Sequence, residues 1–333
     1  KSQYSIFIKE YIDLQHMSIV EKIPKGVLTY FLPHHCVIKA DSSTTKLRVV
    51  FDGSAKTSTG LSLNDILMCG PTIQPNLFDI LLRFRSFKIA LTGDICKMYR
   101  CVKVSCPDNF LQWILWRNHQ DETIKIYKLE TVTYGTKSAS FLAVRAMQQL
   151  AKDEQNYLPI GSKIILRDFY VDDMISGGDS LEEVNEIKLQ TANLLGRGKF
   201  KIRKWCSNDP RILNKINDDE KETFLKFHDG SDITKTLGLI WEPSSDKFLF
   251  SFVPFPRTRT ITKRMVLSTI AKCYDPLGLI GPVMVKAKVF LQTLWKEKID
   301  WDDNLSQQLQ SAWYTLCAEI EEIEKCKFPR RAI

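Results

Sequence analysis

The chain has 333 residues, 44% of them hydrophobic, and its 47 Lys and Arg outnumber 39 Asp and Glu for a formal net charge of +8. That composition is long and apolar enough for more than one domain, and it excludes a disordered or collagen-like chain. No apolar run reaches membrane-spanning length and no secretory leader is present; the basic excess suits a phosphate-bearing partner, and a first residue Lys1 fits a chain cut from a longer polypeptide.

Helical spacing covers Tyr4 to Ile23 and stops at Pro24. CVIKA and KLRVVFDG read as two strands joined by the polar turn DSSTT, SAKTSTGLSLND as a loop, and NLFDILLRFRS as a helix. SFKIALTGD alternates as a strand ending at Asp94. FLQWILWR and TIKIYKL form a hairpin, and SASFLAVRAMQQLAKDE is a helix with Ala139, Leu142, Ala143, Ala146, Met147 and Leu150 on one face. KIILRDFY reads as a strand running into YVDDMISGG, which turns back at Asp172-Asp173. Ser180 and Glu183 then open a helix with Val184, Ile187, Thr191 and Leu194 inward. KFKIRKW and TLGLIWEP are further strands. Beyond about Pro243 the pattern is helical, which points to two packed units.

Nine cysteines occur without a CxxC pair, and the five-residue spacing of Cys96, Cys101 and Cys106 does not suit zinc. They read as reduced, mostly buried thiols of an intracellular protein. His34-His35-Cys36 reads as a strand entering the core rather than a metal site, since no fourth ligand is near. Of three Asp-Asp pairs, Asp218-Asp219 and Asp302-Asp303 have polar neighbours and read as solvated turns, whereas Asp172-Asp173 follows an apolar strand. Carboxylates in such a place need a cation, an Arg or Lys, or hydrogen-bond donors. With Asp94 ending a second strand, the three can hold Mg²⁺ for in-line phosphoryl transfer; an acidic hairpin tip without metal is the competing reading.

The motif Tyr170-Val171-Asp172-Asp173 resembles the YxDD box of reverse transcriptases. KLRVVFDG, LTGDICKMY, VTYGTKSASFLA, GKFKIRKWCSN and TLGLIW are similar to that family's other blocks and occur in its order. The wording of LPHHCVIK, RVVFDGSAK, FYVDDMISGG, KWCSN and YDPLGLIGPV resembles Pol polyproteins of the BEL/Pao group of LTR retrotransposons, over about Ile23 to Asp303. The resemblance implies an RNA-directed DNA polymerase, α+β and shaped as a right hand. Fingers would be 1–69 and 102–138, the palm, an antiparallel sheet flanked by helices, 70–101 and 139–243, and a helical thumb with the start of a connection 244–333.

It further implies catalytic and metal roles for Asp94, Asp172 and Asp173 with two Mg²⁺ ions, Mn²⁺ being able to substitute, and two-metal transfer from a dNTP to a primer 3′-hydroxyl. Arg48 matches the fingers arginine that grips phosphate, assisted by Lys39 or Lys46. Tyr99 would exclude the ribose 2′-hydroxyl, with ordinary aromatic packing as the plain reading. Gly135 would allow close backbone approach, Tyr134 stands where many retroviral enzymes have Gln, and Lys137 is a phosphate contact or a solvated lysine. Lys201 is the candidate general acid, with Arg203 and Lys204 competing. Leu237, Gly238 and Trp241 would form a primer grip, or simply a core strand. Lys263, Arg264, Lys272, Lys286 and Lys288 track phosphate or line a solvated face. Expected partners are an RNA or DNA template, primer and dNTPs, with no membrane. Protease, RNase H and integrase segments would lie outside the chain, and the setting would be cytoplasmic or within virus-like particles. The alternative is a catalytically silent nucleic-acid-binding remnant of a Pol protein. A protease is excluded because Asp52-Gly53-Ser54 and Asp229-Gly230-Ser231 have the wrong order for an aspartic protease loop and no GxSxG occurs.

Overall fold

A computed structural model describes residues 2–38, 47–252 and 260–332. Helix α1 (Ser2–Asp13) ends well before Pro24: Gln15 turns left-handed at φ 57°, and the chain leaves as strand β1 (Met17–Ile19). β2 (His34–Ile38) and β3 (Leu47–Phe51) pair antiparallel with His34 opposite Phe51. Inside the expected loop, α2 (Leu63–Ile66) forms one turn because Ser62 and Asp65 close a capping box. α3 (Leu77–Ser86) starts where the Asn76 side chain accepts from the Phe78 N–H, and Arg83 and Arg85 sit at its carbonyl end. β4 (Ile89–Cys96) runs two residues past Asp94. β5 (Trp113–Trp116) and β6 (Lys125–Leu129) form the expected hairpin, with β1 on the other edge of β6.

α4 (Ala139–Asp153) buries Ala139, Ala143, Val144 and Met147, while Leu142 faces solvent. The segment KIILR is helical, not extended: it belongs to α5 (Pro159–Arg167), with Pro159 in the first turn and Ile164 and Ile165 buried. Proline presets the first helical turn, and so short an apolar run carries no period that separates helix from strand. Only β7 (Phe169–Tyr170) is extended before the turn, and β8 (Asp173–Gly178) returns. α6 (Leu181–Arg197) buries Val184, Ile187, Thr191 and Leu194 as their spacing predicts. Then come β9 (Lys201–Ser207), β10 (Leu225–Lys226), β11 (Asp232–Thr236), β12 (Leu239–Glu242) and β13 (Lys247–Leu249). The expected helices follow as α7 (Lys263–Ala271), α8 (Gly281–Lys296) and α9 (Gln307–Glu321), and a last strand, β14 (Lys327–Pro329), was not anticipated.

The architecture is α+β, in two compact units that interleave along the sequence. One comprises Lys1–Pro75, Asp94–Met174 and Glu186–Arg203. Its core gathers Tyr4, Ile8 and Tyr11 of α1 against Val49, Phe51, Ile114 and Leu129. Its residues of β7, β8, β4 and β9 belong to a four-stranded sheet in that order, with β7 at the edge. The other comprises Asn76–Gly93, Ile175–Asn185 and Lys204–Ile333. There the helices bury Val266, Ala287, Leu294 and Ile320 in one cluster, and β10 to β14 make a five-stranded sheet in sequence order. The helical tail is therefore not a unit of its own, because β14 pairs antiparallel with β13, Phe328 opposite Phe248. All nine cysteines are free, but only Cys206, Cys273 and Cys317 are buried, which corrects the expectation of mostly buried thiols.

Candidate functional site

In the first unit the sheet edge delivers the YVDD motif as a two-residue turn. Phe169 faces Met174 and Tyr170 faces Asp173, so Val171 and Asp172 occupy the central positions. Val171 is left-handed at φ 56°. Glycine or asparagine takes that conformation readily, whereas a β-branched residue is strained by about 1–2 kcal/mol. The Asp172 carbonyl accepts from the Ile95 N–H at 2.9 Å, which sets this turn beside the end of β4, next to Asp94. Asp94, Asp172 and Asp173 are all half-buried and all engaged in further interactions. On the outer edge the Gln74 amide bridges the backbone of β7: Nε2 donates to the Phe169 carbonyl at 2.8 Å, and Oε1 accepts from the Val171 N–H at 3.0 Å.

A second backbone clamp lies at the 134–137 loop. Asn64 Nδ2 donates to the Gly135 carbonyl at 3.1 Å and Asn64 Oδ1 accepts from the Lys137 N–H at 2.7 Å. Gly135 has φ +93°, and a Cβ there would stand 2.1 Å from the Phe51 carbonyl oxygen. The close approach is thus to β3 of the chain itself. Tyr134 is partly buried, donates to the Val49 carbonyl at 2.8 Å and packs on Phe51, so burial raises its phenol pKa and its role here is in the core. Tyr99 shares a hydrogen bond with Ser140 at 3.1 Å. Arg48, Lys137 and Lys201 are exposed cations, Lys201 with a partner of its own. Lys39 and Lys46 lie outside the described residues.

Behind the turn after β4 sits a charged cluster. Lys97 and Arg100 both reach Glu10, at 2.5 and 2.9 Å, the second an ion pair not aligned as a hydrogen bond. Arg100 lies 4.0 Å over the Tyr11 ring and donates through Nε to His16 Nδ1 at 2.8 Å. Burial, then Arg100 and Lys97, push the His16 pKa down to about 4.

In the second unit, Leu237 (φ 49°) and Gly238 (φ +86°) form the turn between β11 and β12. Trp241 is only 1% exposed, donates through Nε1 to Asp246 at 3.1 Å and meets Phe84 edge-on, so it is a core residue. Of the five expected phosphate-tracking cations, Lys263 is buried and donates to the Ile299 carbonyl at 2.9 Å. Arg264 is held by Asp302 at 2.8 and 2.9 Å, Lys286 pairs with Glu319 at 3.0 Å, and Lys272 and Lys288 are exposed. Asp218 and Asp302 are exposed partners of Lys221 and Arg264, as their polar neighbours imply.

The sequence reading missed Gln74 and Asn64. Their signal was faint: single amides in loop segments, Gln74 between Ile73 and Pro75.

Residues 262–333 match the family model described as Pao retrotransposon-like RNaseH-like domain. No curated protein matches the chain. The match supports a BEL/Pao retrotransposon Pol origin. It overturns the expected activity, because the matched domain is RNaseH-like and not a polymerase; it agrees better with the nucleic-acid-binding alternative than with RNA-directed DNA synthesis. The stretch that matches the RNaseH-like model lies within the chain, although RNase H is expected outside it. The expected activity rested on a resemblance of motifs, and the helical spacing over α7 to α9, where the match falls, does not distinguish one helical segment of Pol from another. RNaseH-like domains generally use divalent metals. Among the described residues no group of three or more His, Cys, Asp or Glu side chains is gathered so as to hold an ion. Among the described residues no helix is long and apolar enough to cross a membrane.

Proposed function

We propose that this chain is a nucleic-acid-binding segment of a BEL/Pao-type Pol protein that does not synthesise DNA. The match of residues 262–333 to an RNaseH-like domain of that retrotransposon group carries the reading. The net charge of +8 and the exposed Arg48, Lys137, Lys201 and Lys288 support it, because phosphate contacts by Lys and Arg supply most sequence-independent affinity. In this reading the α+β architecture serves as a binding scaffold. Arg48 and Lys137 contact phosphate from the first unit, and Asp94, Asp172 and Asp173 form an acidic edge that limits how closely the backbone of the bound strand approaches.

The test is fluorescence anisotropy with a labelled RNA–DNA hybrid over a range of salt. Binding should weaken steeply with salt, and Arg48→Ala and Lys137→Ala should each lower the log–log slope by about 0.9. Without divalent cations, Asp172→Asn should tighten binding about two- to threefold by removing a repulsive charge. Absence of binding at low salt would sink the proposal. So would Mg²⁺-dependent incorporation of dTTP on poly(rA)/oligo(dT) that Asp172→Asn abolishes.

A further inference from the structure

We infer that Gln74 is the positioning residue of the acidic turn: its side-chain amide acts as one extra rung on edge strand β7 and holds Val171 left-handed, so that Asp172 and Asp173 keep their places. The inference rests on the proposed nucleic-acid-binding reading only for its consequence in binding.

Because Tyr170 and Asp173 pair across the two-residue turn, the carbonyl of Phe169 and the N–H of Val171 point away from β8, to the open edge of the sheet. Edge groups of this kind are left to solvent or to a partner. Here one side chain takes both, donating to Phe169 and accepting from Val171. An amide can do this at any ordinary pH, since it presents a donor and an acceptor side by side. Gln74 is itself fixed, because the carbonyl of its neighbour Ile73 accepts from Gln148 Nε2 of α4 at 3.0 Å. The turn is thus gripped from both flanks, by Gln74 at the Val171 N–H and by the Ile95 N–H at the Asp172 carbonyl. A valine in the left-handed region has no conformational reason to stay there, so the grip must outweigh its strain.

The experiment follows Val171 by amide hydrogen exchange and backbone chemical shift in the full chain. Gln74→Met keeps the length of the side chain and removes both hydrogen bonds. It should speed exchange of the Val171 amide by roughly tenfold and move its shifts away from left-handed values. Gln74→Glu supplies the decisive control. A protonated carboxyl can donate to Phe169 and accept from Val171, whereas a carboxylate faces the Phe169 carbonyl with no proton. Protection should therefore return as pH falls through the introduced carboxyl's pKa, roughly 4, and be lost above it. Wild-type exchange in Gln74→Met, or exchange in Gln74→Glu without that pH profile, would overturn the inference by showing that Gln74 only fills space. In binding, the affinity change caused by Asp172→Asn should shrink by a factor of about two or more in the Gln74→Met background. The same ratio in both backgrounds would overturn the claim that Gln74 places Asp172. A chain that binds no nucleic acid would defeat the proposed function, and the exchange profile would still decide the role of Gln74.

Discussion

Asp246 in the second unit and the acidic turn in the first are held in opposite ways. In the second unit Asp246 meets Arg330, whose side chain is 0% exposed and has a partner for each of its three nitrogens. Its Nε and Nη2 reach Asp246 at 2.6 and 2.7 Å, Nη2 also donates to the Phe87 carbonyl at 2.9 Å, Nη1 donates to the Phe84 carbonyl, and the guanidinium lies 4.9 Å over the Phe84 ring. Asp246 in turn accepts from Trp241 and from Asn208, each at 3.1 Å. In the first unit Asp172 and Asp173 stand half-buried on a turn whose first central residue is strained. A buried charge whose nitrogens are all partnered is a structural fastening. Half-buried carboxylates on a strained turn are what a chain keeps where ligands come, since strain persists only when the surroundings impose it.

The largest effect that could break this contrast is at Arg330. Arg330→Met leaves Asp246 without its cation and should cost about 3–5 kcal/mol in urea denaturation. Arg330→Lys should recover only part, because an ammonium cannot make the paired contact or stack flat on Phe84. A loss below about 1 kcal/mol would put this pair in the class of surface ion pairs and remove the contrast. Next in size is Gly135→Ala. The added Cβ meets the Phe51 carbonyl in a backbone conformation that alanine resists, and should cost about 2 kcal/mol or more in the same assay.

These sites also divide what was legible in the sequence from what was not. Local periodicity placed α4 and α6, because an amphipathic face is written in neighbouring residues, and the turn at Asp172-Asp173 placed the returning strand β8. KIILR failed for the converse reason, being too short for its period to count. Arg330 was invisible: its partners lie 84 positions away in Asp246 and about 243 to 246 away in the carbonyls of Phe87 and Phe84, and no local pattern records them. Gln74 and Asn64 were silent likewise, since a lone amide says nothing of which backbone it will bridge. The acidic motif was legible as a turn, but its residue order spoke for a lineage and not for an activity.

A smaller effect belongs to the Glu10–Arg100–His16 cluster, intermediate between the two sites because its ring accepts from a cation and stays neutral. The His16 pKa lies near 4 in the fold against about 6.5 unfolded. The unfolded chain therefore binds a proton that the folded chain refuses between those values. Stability from this group is complete above about pH 6.5 and is lost as pH falls toward 4. The loss should be on the order of 1–2 kcal/mol once solvent screening at a half-buried ring is allowed for. His16→Gln should flatten the stability profile across that window; an unchanged slope would show that the ring titrates normally.

The smallest effect sharpens the contrast most. Val171→Gly removes the strain of a β-branched residue in the left-handed region, a gain of about 1–2 kcal/mol, against the extra chain entropy glycine loses on folding, about 0.5–1 kcal/mol. The net should be a stabilisation of at most about 1.5 kcal/mol, visible as a higher urea midpoint with unchanged slope. A fastening gains nothing from such a change, because no strain is stored in it. If instead Val171→Gly destabilises the chain, the valine side chain is packed for stability and the turn belongs with Arg330 among the structural sites. If it stabilises the chain while the affinity change caused by Asp172→Asn shrinks, the strain is the means by which the acidic turn is held in register. Stability and placement are then being traded at one residue, which is the distinction between the two sites in its simplest form.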